Sequence, residues 1–326
     1  MNRVFITGGA GYVGAVMVPH LLENGYEVTV LDLMIYGEHV LQNHDNLNTV
    51  KGDIRDKDLL KKLIPGHDAV IHLACISNDP SFELNPKLGK SINLDAFRPL
   101  VEISRSSNIK RFFYASSSSV YGIKDEQNVH EEMELEPLTD YSIFKAECEK
   151  ILAEYQSNDF TTTTIRPATV CGYSPRQRLD VVVNILTNLA YHKREISIFG
   201  GDQLRPNIHI EDMAKVYLLL LMAPKEKIAG KIYNAGYENQ PVKKIAETVK
   251  SVVGEDVKLI TTTTDDNRSY HISSQKIKDE LGFEAKHTIR NAVEDLCVAF
   301  DKELLPNSLD HEMYFNIKRM QSIDLY

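Results

Sequence analysis

Tyr141 and Lys145 stand four positions apart in Tyr141-Ser142-Ile143-Phe144-Lys145, a spacing that puts a phenol and an ammonium on one face of a helix. A tyrosine ordinarily ionises near pH ~10, too high for a base at neutral pH. A neighbouring cation favours the phenolate, and the pair then becomes able to exchange a proton with an alcohol. Such spacings recur by chance in helices, so the pair needs company. It has some in Tyr114-Ala115-Ser116-Ser117-Ser118-Ser119-Val120-Tyr121-Gly122, where hydroxyls follow an apolar run. Ligands of open α/β sheets bind beyond the carboxyl ends of strands, which is where this serine run falls.

Near the N-terminus, Gly8-Gly9-Ala10-Gly11-Tyr12-Val13-Gly14 follows an apolar run and satisfies G-x-G-x-x-G at Gly9, Gly11 and Gly14. Residues without a Cβ let backbone amides approach a pyrophosphate at the positive end of a helix. A glycine turn can also serve only to pack a strand on a helix. Asp32 decides between the two: at the end of the second predicted strand, its carboxylate suits the two hydroxyls of an adenosine ribose and repels a 2′-phosphate. The cofactor expected is therefore NAD and not NADP. Asp53-Ile54, after the third strand, offers a polar and an apolar contact to adenine.

These residues need a scaffold, and the rhythm of the first half supplies one. Short β-branched runs at 3–7, 27–31, 49–51, 69–73, 111–115 and 161–165 alternate with amphipathic segments at 13–24, 56–63, 92–106 and 141–156. That pattern predicts right-handed crossovers and an α/β fold with a doubly wound parallel sheet. Beyond Arg166 the rhythm loosens, with helices expected at 181–191, 242–253, 274–281 and 289–300. The division expected is a dinucleotide-binding domain over 1–166 and a smaller, mixed C-terminal substrate lobe over 167–206 and 236–305. A segment near 207–235, specifically 212–221 and 231–234, is expected to return to the sheet. The tail 306–326 has no assignment.

Composition narrows the classes. The 326 residues are 43% apolar and 25% charged, which excludes disordered and disulfide-stapled chains. A net charge of −9 argues against nucleic-acid binding. Cys75, Cys148, Cys171 and Cys297 show no C-x-x-C and no zinc spacing, so reduced thiols and a cytoplasmic location are expected. The start of the chain reads as a buried strand and lacks a signal-peptide layout, and no run reaches the ~18 apolar residues of a membrane span. His72 and His209 sit in apolar, strand-like surroundings that suit hydrogen-bonded core histidines; no metal is assigned.

On these residues the chain resembles the extended short-chain dehydrogenase/reductase family, in its NAD-dependent nucleotide-sugar epimerase and dehydratase branch. The likeness runs over about residues 1 to 300. It is carried by Thr7 to Gly14, Gly52-Asp53-Ile54, His72-Leu73-Ala74, the serine run ending in Val120-Tyr121-Gly122, Tyr141 to Lys145, Arg166-Pro167-Ala168 and Arg205 to Asp212. The resemblance implies a Rossmann sheet, Tyr141 as acid/base, Lys145 as its partner on the nicotinamide ribose, and Ser117 as the serine that bonds the reacting sugar oxygen. It also implies cofactor contacts from Gly8, Gly11, Tyr12, Val13, Gly14, Asp32, Asp53, Ile54, Leu73, Ala74, Asn93, Pro167 and Ala168. The substrate implied is a nucleotide-diphosphate sugar, touched by Ser117, Ser118, Ser119 and Asn184, with Arg205 and Arg268 on its diphosphate. By the same likeness a homodimer would form through the helices at 92–106 and 141–156.

Dehydratases of this branch carry an acid just after the catalytic serine or threonine, where this chain has Ser118 and Ser119. A hydroxyl is not a competent base near neutrality. The reaction expected is therefore 4-epimerisation through a transient 4-keto sugar. A 4-dehydrogenase or 4-ketosugar reductase shares the half-reaction, 4,6-dehydration carries less weight, and a noncatalytic NAD-binding sensor or scaffold is the alternative of another class.

Overall fold

The computed structural model describes all residues except 1, 78, 125, 127, 264–268, 270, 324 and 326. Its centre is a parallel sheet built from β1 (Arg3–Thr7), β2 (Glu27–Asp32), β3 (Leu47–Lys51), β4 (Ala69–His72), β5 (Arg111–Ala115) and β6 (Thr161–Pro167). Three later strands, β7 (Thr169–Cys171), β8 (Glu195–Phe199) and β9 (Leu204–His209), precede β10 (Lys231–Ala235), which closes the sheet in the order β10-β6-β5-β4-β1-β2-β3. Every pairing in this sheet is parallel. The strand order reverses direction between β1 and β4, and a crevice opens at such a point beyond the strand ends. Burial on both faces explains the unbroken apolar reading of β4, Ala-Val-Ile-His.

Helices α1 (Gly14–Glu23), α2 (Lys57–Leu63), α3 (Asp79–Glu83), α4 (Pro86–Lys90), α5 (Phe97–Ser106) and α6 (Asp140–Tyr155) connect the strands. The single helix expected at 92–106 begins as a wider turn over Ser91–Asp95. That turn aims Asn93 at the chain beyond β4, where its side chain accepts from Ile76 N at 2.8 Å and donates to Ile76 O at 3.0 Å. In the second half come α7 (Val182–Lys193), α8 (Ile210–Met222), α9 (Lys225–Ile228), β11 (Glu238–Pro241), α10 (Val242–Val253), β12 (Lys258–Thr262), α11 (Gln275–Leu281), α12 (Ile289–Asp301) and α13 (Asn316–Ser322). Strands β11, β9 and β7 form one small sheet and β12 with β8 another.

Residues 231–234 return to the sheet as expected, but 212–221 do not: they form the middle of α8, which shares an apolar core with α1. Asp212 is buried in its first turn and accepts from the amides of Lys286 and His287. Among the described residues no helix is long and apolar enough to cross a membrane.

Two buried polar groups hold the strand ends. His72, at the end of β4, bonds Thr7 Oγ1 at 2.6 Å and stacks on Tyr114. Arg166, near the end of β6, makes a forked ion pair with Glu149 of α6, the closest contact being 2.6 Å, with side chains only 3% and 5% exposed. Arg166 also donates to Tyr121 Oη, and Ser116 Oγ donates to Glu149.

Replacing Glu149 by Gln should leave the guanidinium without its counter-charge and cost about 3–5 kcal/mol in urea unfolding. Burial, aided by the Lys145 cation, pushes His72 down to about 3, against 6.5 in its ordinary state. Between those values the unfolded chain binds a proton that the folded chain refuses, so this site's contribution to stability falls as pH drops from 6.5 toward 3. In His72→Asn, the loss of stability over that window should be visibly shallower.

Candidate active site

A cavity of about 350 Å³ lies across the carboxyl ends of β1, β2, β4, β5 and β6. At one end is the glycine turn. Gly8 has φ +75°, and a Cβ there would fall 2.5 Å from Ala74 N; at Gly14 it would fall 2.2 Å from Gly9 O. The turn therefore admits no side chain at either position, and its backbone together with the first turn of α1 faces the cavity. Gly11, Tyr12, Val13, Leu73 and Ala74 complete this wall. Asp32 lines it too, accepting from Ala10 N at 3.0 Å and Met34 N at 2.8 Å. Burial raises its carboxyl pKa, opposed by those two amides and by Arg176. Asp53 and Ile54 also line the cavity, with the Asp53 carboxylate engaged by Arg55. A crowded glycine cradle, a helix start and a half-buried acid at the end of β2 are what an adenine dinucleotide requires.

At the other end stand Ser117, Ser118, Ser119, Tyr141, Lys145, Pro167 and Ala168. Thr139 caps α6 in a reciprocal capping box with Ser142, which fixes the first turn that presents Tyr141. Ser117 and Ser119 share a hydroxyl contact of 2.8 Å. Burial pushes the Tyr141 phenol well above its ordinary value, with Cys75 and Asp79 adding to the effect; Arg178 and the Ser117 hydroxyl oppose it. The net lowering expected from Lys145 is not found, because burial dominates the phenol. The Lys145 ammonium donates to Ala115 O at 2.6 Å and lies 5.8 Å from the Tyr141 ring centre and 5.0 Å from that of Tyr114. The backbone carbonyl at the end of β5 holds the cation, because α6 packs directly over that strand end.

Three expected contacts fall elsewhere, and a fourth is not described. Asn93 lies outside the cavity wall because its amide is spent on Ile76. Asn184 is fully buried beneath the wall, bonded to Gly172 N, Tyr12 Oη and Arg178 O, which leaves it nothing to offer a substrate. Arg205 is not part of the wall; its Nη1 donates to Leu204 O. Arg268 lies outside the described residues. Conversely, the cavity gains Tyr36, Asp79, Arg176, Arg178, Asn316 and Met320. The last two come from the tail that carried no expectation. Arg176 and Arg178 lie in Ser174-Pro175-Arg176-Gln177-Arg178, where two cations in a loop directly after a short strand were the available signal.

A dinucleotide fold with a Ser, Tyr and Lys at the nicotinamide end defines a class of NAD-dependent enzyme, and comparison with known proteins makes the class specific. The chain belongs to the NAD-dependent epimerase/dehydratase family, whose model matches residues 4–236. It is 27% identical to a UDP-glucose 4-epimerase of Corynebacterium glutamicum, over 90% of this chain and 94% of that one. It is 26% identical to a dTDP-glucose 4,6-dehydratase of Streptomyces niveus, over 86% and 87%. The crystal structure of a UDP-glucose 4-epimerase from Thermotoga maritima with UDP-glucose superposes with a TM-score of 0.84 at 25% identity, covering 93% of this chain and 99% of that one.

Gly14→Ala should abolish measurable NADH binding in a fluorescence titration and lower the melting temperature, since the new methyl meets Gly9 backbone.

Proposed function

We propose that the chain is an NAD-dependent nucleotide-sugar 4-epimerase. The observation that carries this reading is the convergence of Ser117, Tyr141 and Lys145 on the cavity that holds the glycine turn and Asp32, with hydroxyls at Ser118 and Ser119 where a dehydratase would carry an acid. NAD held by the glycine turn, Asp32 and Lys145 would supply reversible hydride transfer at C4 of the sugar.

The residues of the chain move and hold the proton. Tyr141 receives the proton of the C4 hydroxyl and gives it back after the sugar has turned. Ser117 bonds the reacting oxygen, its own direction set by Ser119. Lys145, anchored to Ala115 O, sets an ammonium 5.8 Å from the centre of the Tyr141 ring, on the same helix face, where a cation opposes the effect of burial on the phenol. Arg178 works in the same sense, while Asp79 and Cys75 oppose it. The balance of these groups with burial sets how readily Tyr141 accepts the proton. A homodimer through α5 and α6 belongs to the same proposal. Arg98, Glu102, Glu154 and Tyr155 form an exposed polar network across these helices that a partner would meet.

Asp79 favours a second reading. Its carboxylate lines the same cavity, accepts from Thr139 Oγ1 at 2.5 Å and acts on the Tyr141 phenol. A carboxylate reaching the sugar from α3 supplies the extra acid or base that 4,6-dehydration needs and that the serine run lacks.

Incubation with UDP-, GDP-, CDP- and dTDP-sugars separates the reactions. Isomer formation without net NADH is expected. Accumulating NADH identifies a dehydrogenase, and a 6-deoxy-4-keto product that disappears in Asp79→Asn identifies a dehydratase. In Tyr141→Phe, kcat should fall by roughly 10²–10⁴-fold while NADH affinity is retained; full turnover in that variant would overturn the role of the phenol.

A further inference from the structure

The loop between β7 and α7 is docked on the glycine turn. Ser174 Oγ donates to Tyr12 O at 2.9 Å, Tyr12 Oη donates to Gly172 O at 2.7 Å, and Asn184 Nδ2 donates to Tyr12 Oη at 2.9 Å. This docking brings two guanidinium groups, Arg176 and Arg178, into the same cavity as Gly11 and the start of α1.

Both arginines are built in. Arg176 is 4% exposed, with its guanidinium 3.4 Å from the centre of the Tyr36 ring. Its Nη2 donates to Asn316 Oδ1 at 2.7 Å and its Nη1 to Gln177 O at 3.4 Å. Arg178 Nε donates to Asp180 Oδ1 at 2.9 Å and Nη1 to Ser77 Oγ at 3.3 Å. Two donors are left over: Arg176 Nε and Arg178 Nη2 are buried and have no hydrogen-bond partner among the described residues. Asp180 is the one carboxylate bonded to either arginine among those residues. Arg176 has no carboxylate bonded to it among those residues, Asp32 acting on it only through space, and burial with the neighbouring Arg178 brings Arg176 down to about 10.

A buried guanidinium with an idle N–H facing a cavity calls for an anion with several acceptor oxygens. We propose that Arg176 and Arg178 form the second wall of a diphosphate site, facing the glycine turn, and that the diphosphate they take is that of the dinucleotide. This rests on the reading of the cavity as the NAD site. Position selects the cofactor over the nucleotide sugar: the loop is tied to Tyr12 of the glycine turn, and Arg176 lies against Tyr36 and acts on Asp32, at the adenosine end. The turn offers backbone amides on one side of the diphosphate, and the arginines offer planar forks on the other. Asn316 is a positioning residue. Its Oδ1 also accepts from Tyr36 Oη at 2.8 Å, its Nδ2 donates to Ser77 Oγ at 2.9 Å, and its amide donates to Asp180 Oδ2 at 2.9 Å. One tail residue thus ties together Tyr36, Ser77, Arg176 and Asp180.

The test is equilibrium binding by the full chain, cleared of resident dinucleotide, with three probes: NADH, ADP-ribose and UDP. Arg176→Met and Arg178→Met should each raise the Kd of NADH and ADP-ribose by about ten-fold or more and leave that of UDP unchanged. Arg178→Lys, which keeps the buried charge and loses the fork, should show a smaller rise and serves if the Met variants do not fold. Asn316→Ala should weaken NADH binding less than Arg176→Met. Unchanged NADH affinity in Arg176→Met and Arg178→Met, or in Arg178→Lys where those do not fold, overturns the proposal. So does a loss confined to UDP, which would assign the pair to the nucleotide sugar. A wild-type chain that binds neither NADH nor ADP-ribose overturns the cofactor reading itself.

Discussion

The buried ion pair between Arg166 and Glu149 is the contact on which the catalytic end of the cavity depends. Tyr141, Lys145 and Glu149 follow one another at four-residue intervals along one face of α6. Fixing the third fixes the direction of the first two. Glu149 is fixed from two strands at once, by Arg166 of β6 and by Ser116 at the end of β5. The same guanidinium reaches Tyr121 and the backbone at Glu131, and Tyr121 continues to Asn234 of β10. Three strand ends and one helix thus share a polar network with almost no solvent in it. Removing one partner from such a network leaves a buried charge uncompensated, which is why its geometry is stiff.

The cofactor end is organised by steric exclusion. Side chains are forbidden at Gly8 and Gly14 because Ala74 and Gly9 backbone occupy the space. That crowding brings β1, the chain after β4 and α1 close enough for amides to face one concavity. Tyr12, the bulky residue within the turn, lines the cavity and anchors the β7–α7 loop through its hydroxyl and its carbonyl. The turn therefore does two jobs: it shapes part of the cavity wall and positions the loop that brings Arg176 and Arg178 into it.

Charge is distributed in keeping with this division. The chain as a whole is acidic, and the cavity sets Lys145, Arg176 and Arg178 among Asp32, Asp53 and Asp79. Local cations in a low-dielectric cleft act strongly on nearby groups whatever the net charge of the surface. Arg178 reaches both ends, bonded toward Ser77 and Asp180 and opposing the rise of the Tyr141 pKa. On the function proposed, the dinucleotide and the ionisation of Tyr141 meet at this one guanidinium.

What the sequence determined by itself is whatever depends on local spacing. The glycine turn, Asp32 at the end of β2, the Tyr141 and Lys145 pair and the alternation of strand and helix are all readable within short windows, because backbone sterics and helical periodicity act over a few residues. Ser117 was legible for the same reason. What only the tertiary structure decided is which distant groups meet. Asn184 looked available and is sealed under the wall; Asn93 looked like a ligand and tethers Ile76; 212–221 looked able to join the sheet and form a helix over it. The tail, unassigned in the sequence, brings Asn316 some 240 positions along the chain to Ser77. Nothing local encodes such meetings: they follow from how buried polar groups, far apart in the chain, satisfy one another once the sheet and its helices have packed.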